Sequence, residues 1–226
     1  MGEQIVTMNP AQKFIAKKMK ETNMNHPQAV TCFDVDMTSL LALKQKHKSA
    51  RRNITITAYL VKAYYMALSR NPLMNSRWIK DEIHQYDEFN VGIAMAIDRG
   101  LIVPVVKNAE GKSCDEISDE IRLFKEKNSA GRLTLDDMSG ATCTISSLGN
   151  GKNDIVLPML NDDQCVMLGA GSVKKKPVVL EDGRIAARDI MNMSCTTNHC
   201  IVYGSEVGKF CIDIAEILEN AEKYLD

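Results

Sequence analysis

Two stretches of this sequence hold residues whose type and spacing suit them to chemistry. Near the C-terminus, Ser194-Cys195-Thr196-Thr197-Asn198-His199-Cys200-Ile201-Val202-Tyr203-Gly204 places one histidine after an apolar run, Ile190 to Thr197, and before a helical segment opening near Gly204. A histidine at the end of a strand is well placed for proton transfer, because rigid elements hold its ring while one edge faces a cavity. Imidazoles in general, with an ordinary pKa of about 6.5, can take up and return a proton at neutral pH. Taken alone, however, a single histidine among apolar residues is more often packed in a core. The second stretch is Gly140-Ala141-Thr142-Cys143-Thr144-Ile145-Ser146-Ser147-Leu148-Gly149. If it is a strand, Thr144 and Ser146 share one face while Ile145 and Ser147 take the other. Ser146 alone reads as an ordinary strand serine; the two stretches gain weight together.

The elements that must position these residues come from the whole chain. Its 226 residues are 45% apolar, enough to bury a large core in one or two domains. A net charge of -1 argues against nucleic acid as a main partner. No apolar run approaches the ~18 residues of a membrane span. The first residues, Met1 to Met8, show neither the basic flank nor the apolar stretch of a signal peptide. Seven cysteines without a CxxC pair read as reduced thiols of a cytoplasmic protein. Cys195, His199 and Cys200 match no zinc spacing, so no metal is expected.

Asn9 and Pro10 carry the chemistry of a helix start, with Ala11, Ile15 and Met19 recurring at helical spacing up to the stop at Asn25-His26-Pro27. Phe33, Val35 and Met37 alternate with Asp34 and Asp36 as a half-buried strand, and Thr38 is expected to cap a helix reaching about Lys48, with Leu40, Leu41 and Leu43 inward. The basic run Lys44 to Arg52 reads as a solvated helix end, with phosphate binding as the alternative. A helix from about Thr57 to Arg70 carries the stripe Ile56, Leu60, Tyr64 and Leu68, and Asn71-Pro72 stops it. Trp78 to His84 reads as a hairpin. Phe89 to Ile97 and Leu101 to Val106 read as strands around a turn at Asp98-Arg99-Gly100, with Pro104 marking an edge or bulge. Ser113 and Glu116 form a capping-box pattern for a helix carrying Ile117, Ile121 and Phe124. Thr142 to Ser147 and Cys165 to Val173 are expected strands, and Val178-Val179 and Ile185 to Ala187 flank a turn. The last helix is expected from Gly204 to about Glu222. Gly149-Asn150-Gly151-Lys152 and Gly169-Ala170-Gly171 fit no phosphate-binding loop and read as turns or close backbone approaches. Without regular βαβ repeats, this order predicts an α+β fold, with helices on one face of a mostly antiparallel or mixed sheet. Residues 1–8 read as a leader and 9–226 as one domain.

Several short motifs, in order, resemble the catalytic cores of the 2-oxoacid dehydrogenase acyltransferases (E2) and, more distantly, chloramphenicol acetyltransferase. Gln12-Lys13-Phe14-Ile15-Ala16-Lys17-Lys18-Met19 is similar to the family's first helix. Phe89-Asn90-Val91-Gly92-Ile93-Ala94 with Gly100-Leu101-Ile102-Val103-Pro104-Val105-Val106 is similar to its internal strand pair. Asp137-Met138-Ser139-Gly140 leads into Thr144-Ile145-Ser146-Ser147-Leu148-Gly149 as in the family, and the ending Leu218 to Leu225 resembles its C-terminal anchor. The family's HxxxDG motif reads here His199-Cys200-Ile201-Val202-Tyr203-Gly204. The motif's aspartate is therefore Tyr203, the arginine usually following the histidine is Cys200, and the first-helix arginine is Gln12. In relatives that arginine and aspartate form an ion pair bracing the catalytic histidine. Here both partners are absent, a loss that can be nearly neutral where losing one would strand a charge.

The resemblance implies a trimer, with a possible cage, whose active sites lie between chains. It implies transfer of an acyl group between the thiols of coenzyme A and dihydrolipoamide, and possible partnership with a lipoyl-domain protein and E1 and E3 enzymes. In that reading His199 is the base and Ser146 the oxyanion donor. Two alternatives stand beside it: a catalytically weak structural core on the same scaffold, suggested by Tyr203 and Cys200, and a free-standing O-acetyltransferase of a small molecule.

Overall fold

The computed structural model describes residues 2–97, 100–148 and 152–226. The turns expected at Asp98-Arg99 and Gly149 to Gly151 lie outside them. The elements run α1 (Pro10–Asn25), β1 (Gln28–Asp36), α2 (Thr38–Ser49), α3 (Ile56–Arg70), β2 (Ser76–Ile79), β3 (Glu82–Gln85), β4 (Val91–Ile97), β5 (Gly100–Ile102) and β6 (Val105–Val106). They continue with α4 (Cys114–Ser129), β7 (Cys143–Ser147), β8 (Val166–Val179), β9 (Ile185–Asn198), α5 (Gly204–Glu219) and α6 (Ala221–Leu225). The main sheet has the order β1-β9-β8-β7-β4-β5, with β6 also paired to β4. It is mixed: β7 runs parallel to both β4 and β8, while the flanking pairs are antiparallel.

Local chemistry sets most boundaries. Asn9 and Gln12 close a reciprocal capping box over the start of α1, at 2.8 and 2.9 Å. Ser113 and Glu116 do the same for α4. The expected strand from Leu101 breaks into β5 and β6 around Pro104, which has no N–H for the ladder; its carbonyl accepts instead from Ile93 N–H at 2.8 Å. The β2–β3 hairpin turns at Lys80-Asp81, both with positive φ, as a tight two-residue connection requires.

Four expectations are corrected. Thr38 does not cap α2: it is the first helical residue, and the Asp36 carboxylate accepts from both its N–H and its hydroxyl. The α1 stripe does not reach the core of its own chain, since only Thr22 of that helix is buried. The expected strands at 165–173 and 190–197 merge with the short pieces beyond them into two 14-residue strands of one long hairpin, with a bulge between Ala170 and Val173. The last helix breaks at Asn220 into α5 and α6. The basic run is a mostly exposed helix end, as expected, in which Arg52 meets Asp115, Lys46 meets Glu222 and Asp226, and His47 is buried between the Tyr59 hydroxyl and Asp226.

Strand alternation separates two chemistries across the sheet. Val91, Ile93, Cys143, Ile145, Val166, Leu168, Met191, Met193 and Cys195 face the helices and form the core with Tyr59, Tyr64 and Phe210. Residues of the other parity, Gly92, Thr144, Ser146, Gly169, Gly171, Ser194 and Thr196, fall on the opposite face. There the extended segment 153–160 lies on the sheet: its Val156 carbonyl accepts from the Ser194 hydroxyl and its Pro158 carbonyl from Thr196 at 2.6 Å. The sheet under it needs glycine. A Cβ at Gly171 would land on the Asp154 carbonyl and within 3.1 Å of the Asn192 carbonyl oxygen. Backbone cannot swing aside as a side chain can, so Gly171→Ala is expected to cost about 1–3 kcal/mol. Thermal unfolding should then begin several degrees lower; an unchanged midpoint would show that segment 153–160 lifts off freely.

Candidate active site

His199 sits in the turn that joins β9 to α5, where the sheet's antiparallel hairpin ends. Its N–H donates to the Pro27 carbonyl at 2.8 Å, which ties the turn to the exit of α1. The ring itself is exposed and, among the described residues, makes no hydrogen bond or ion pair. It is therefore not a packed core histidine: the backbone is fixed and the imidazole is free. Tyr203, the N-cap of α5, is 59% exposed, and its ring centroid lies 5.5 Å from that of His199. Its N–H donates to the Glu206 carboxylate at 3.2 Å, so this end of α5 carries an acidic group in its first turn.

Ser146 lies near the end of β7, half-buried, on the face opposite the helices. Among the described residues its hydroxyl has no hydrogen-bond partner, whereas Thr144 on the same face is engaged with Gln164 at 2.8 Å and Asn161 at 3.2 Å. Both expected site residues thus present an unengaged polar group.

One chain does not bring the two together. Ser146 pairs with Gly169, Gly169 with Ser194, and Asn198 stands four residues farther along β9. Two strand spacings and four residue rises separate Ser146 from the His199 turn by roughly 16 Å, far beyond a shared transition state.

Gln12 is not brought to Tyr203 within the chain either. Its side chain is spent on the capping box with Asn9, and α1 carries it away from Pro27: the helical rises from Gln12 to the end of α1 at Asn25 amount to about 20 Å. Cys200 is partly exposed next to His199, and its N–H is held by the Asn198 side chain at 3.1 Å. Five other thiols are buried; desolvation pushes Cys143 and Cys165 up to about 12 and Cys114 to about 11, which makes them inert packing groups. Cys195 faces the core while His199 faces solvent, so that pair is not gathered for a metal.

Sequence reading missed the residues that hold the turn. Asn198 is fully buried: its Oδ1 accepts from Cys200, its carbonyl accepts from Ile201 and Val202, and its Nδ2 lies 3.0 Å from His26 Nδ1. An asparagine at a strand end, which can cap its own turn, was the available signal; its partnership with His26 was not visible.

Among the described residues no helix is long and apolar enough to cross a membrane. The family model for the 2-oxoacid dehydrogenases acyltransferase (catalytic domain) matches residues 1–225. The lipoamide acyltransferase component of the branched-chain alpha-keto acid dehydrogenase complex of Bacillus subtilis is 34% identical over 227 residues, covering 98% of this chain and 54% of that protein. The chain thus spans about half the length of the curated relatives it matches. Among solved structures, a probable dihydrolipoamide acetyltransferase from Listeria monocytogenes superposes with a TM-score of 0.91 at 33% identity, covering 96% of this chain and 95% of that one. The cubic core of a pyruvate dehydrogenase multienzyme complex gives 0.92 at 25% identity over 100% and 95%. A chloramphenicol acetyltransferase shares the fold, with a TM-score of 0.55 at 15% identity over 89% and 94%. By a family model that spans nearly every residue and relatives above 30% identity, this chain belongs to the 2-oxoacid dehydrogenases acyltransferase family, as a match to its catalytic domain.

Proposed function

We propose that the chain transfers an acyl group between coenzyme A and a thiol acceptor, dihydrolipoamide, in a site completed between copies of a trimer. The observation that carries this reading is the pair of unengaged groups. A solvent-facing imidazole on a fixed turn and a free strand hydroxyl stand in one chain too far apart to act together. A neighbouring copy that apposes one chain's His199 to the next chain's Ser146 assembles the site. The chain also has apolar surface for such a neighbour: Phe14 and Met24 on α1, and Ile155 and Leu157 on the segment over the sheet, are all more than half exposed.

In this reading His199 takes the proton of the attacking thiol, whose ordinary pKa of about 8.5 leaves it mostly protonated at neutral pH. The thiolate adds to the thioester carbonyl, and the oxyanion so formed accepts a hydrogen bond from Ser146. Collapse expels the other thiolate, which recovers the proton from His199. One placed hydroxyl contributes about 3 kcal/mol in such a site.

A second reading, a structural core with little catalysis, draws on Tyr203, whose ring flanks that of His199 where the HxxxDG motif has its aspartate. Thioester exchange between acetyl-CoA and free dihydrolipoamide separates the two. Enzymatic turnover is expected; a rate no greater than buffer, with the assembly intact, would favour the scaffold. Acetylation of a small-molecule hydroxyl in place of dihydrolipoamide would favour the O-acetyltransferase alternative.

A further inference from the structure

The turn that carries His199 is held by a pair of side chains contributed by distant parts of the chain. Asn198 is fully buried, and its Oδ1 accepts from the N–H of Cys200 at 3.1 Å. A backbone N–H can only donate, so this contact fixes the orientation of the amide and turns Nδ2 toward His26 Nδ1, 3.0 Å away. Nδ2 also only donates. In this contact His26 Nδ1 must therefore accept. His26 is itself seated edge-on against Trp78, with centroids 5.9 Å apart, and the next residue, Pro27, accepts from His199 N–H at 2.8 Å. The turn is thus tied on one side through Asn198 and on the other through the exit of α1. Among the described residues neither Gln12 nor Tyr203 makes a side-chain hydrogen bond with residues 199–202.

We propose that Asn198 and His26 are the positioning pair of this site, holding the His199 turn in register for proton transfer. The proposal rests on the reading of His199 as the base. Among the described residues no side chain hydrogen-bonds the imidazole, and the Tyr203 ring that flanks it belongs to the same turn, so its placement follows the turn's backbone. A displacement of about 1 Å at a reacting group lowers turnover by about a hundredfold.

The test compares Asn198→Ala, His26→Phe and His26→Gln in the assembled protein. Phe keeps an aromatic ring against Trp78 but has no acceptor; Gln restores an acceptor through Oε1. The first readout is amide hydrogen exchange of residues 199–202, which needs no activity. The second is kcat and KM for thioester exchange. Asn198→Ala and His26→Phe are expected to speed exchange in the turn and to lower kcat about ten- to a hundredfold with little change in KM. His26→Gln should recover most of both. The double variant Asn198→Ala/His26→Phe should be no worse than Asn198→Ala, since the two act through one contact. Turn exchange unchanged in His26→Phe, or no recovery in His26→Gln, would overturn the pair. If Asn198→Ala fails to fold, the two His26 variants still decide it. A parent protein without acyl transfer would instead overturn the reading of His199, while the exchange data alone judged whether the pair holds the turn.

Discussion

Replacing His199 with alanine is expected to lower acyl transfer by about 10²–10⁴-fold while leaving fold and assembly intact. The two halves of that expectation rest on different observations. The loss of activity follows from chemistry: a thiol must give up its proton to attack a thioester at neutral pH, and among the motif's residues only the imidazole is matched to the task. The intact fold follows from geometry. The ring is exposed and, among the described residues, engaged in no hydrogen bond, so its removal opens no cavity and strands no buried partner there. The turn's own bonds run through the His199 backbone to Pro27 and through Asn198, and alanine keeps the first and does not touch the second. The check is a thioester-exchange rate beside an unfolding curve and a light-scattering mass. A variant within threefold of the parent rate would remove His199 from the mechanism. One that lost both rate and assembly would make it a structural residue.

What the sequence made legible was what short-range chemistry decides. The N-cap at Asn9 and the capping box at Ser113/Glu116 depend on residues at most three apart and appear where the pattern places them. The α3 stripe is continuous because Leu60, Tyr64 and Leu68 all meet one core. Gly169 and Gly171 were readable as close approaches, though not what approaches them. The misreadings came where a pattern depends on distant neighbours. The far half of the β8–β9 hairpin carries Lys174, Lys175 and Lys176 paired to Asp154, Asp189 and Asp34, so it lacks the apolar alternation by which a strand is recognised. The stripe on α1 is real as a pattern, but its own chain covers Ile15 and Met19 only in part and leaves Ala11 exposed. The Asn198–His26 contact joins residues 172 positions apart, and no local rule reaches that far. At the site, the sequence offered His199 and Ser146 as candidates and Gln12 and Tyr203 as departures from the family's motif. Their mutual placement was not legible, because it is a property of the sheet's register.

That register leads to the second large effect. Two inactive variants, His199→Ala and Ser146→Ala, are expected to regain activity when unfolded together and reassembled, though each alone remains at least about a hundredfold below the parent. Within one chain β7, β8 and the run of β9 keep the serine and the histidine turn roughly 16 Å apart, so neither variant chain can supply a complete site by itself. In the proposed ring of three, each interface would be heterologous, one face offering the histidine and the facing chain the hydroxyl. A site is whole only where a Ser146→Ala chain lends its intact His199 to a His199→Ala chain that keeps its intact Ser146. With equal amounts mixed at random, about one interface in four has that arrangement. Recovery should therefore approach about a quarter of the parent rate, fall off on either side of an equal mixture, and vanish if the assembled variants are mixed without exchange of chains. Each inactive species lacks a different group, so contamination by parent protein would not follow that dependence on mixing ratio. No recovery, with mixed assemblies demonstrated by mass, would mean that the two residues do not meet across an interface. The hydroxyl facing the oxyanion would then have to come from elsewhere, and Ser146 would return to being a strand serine.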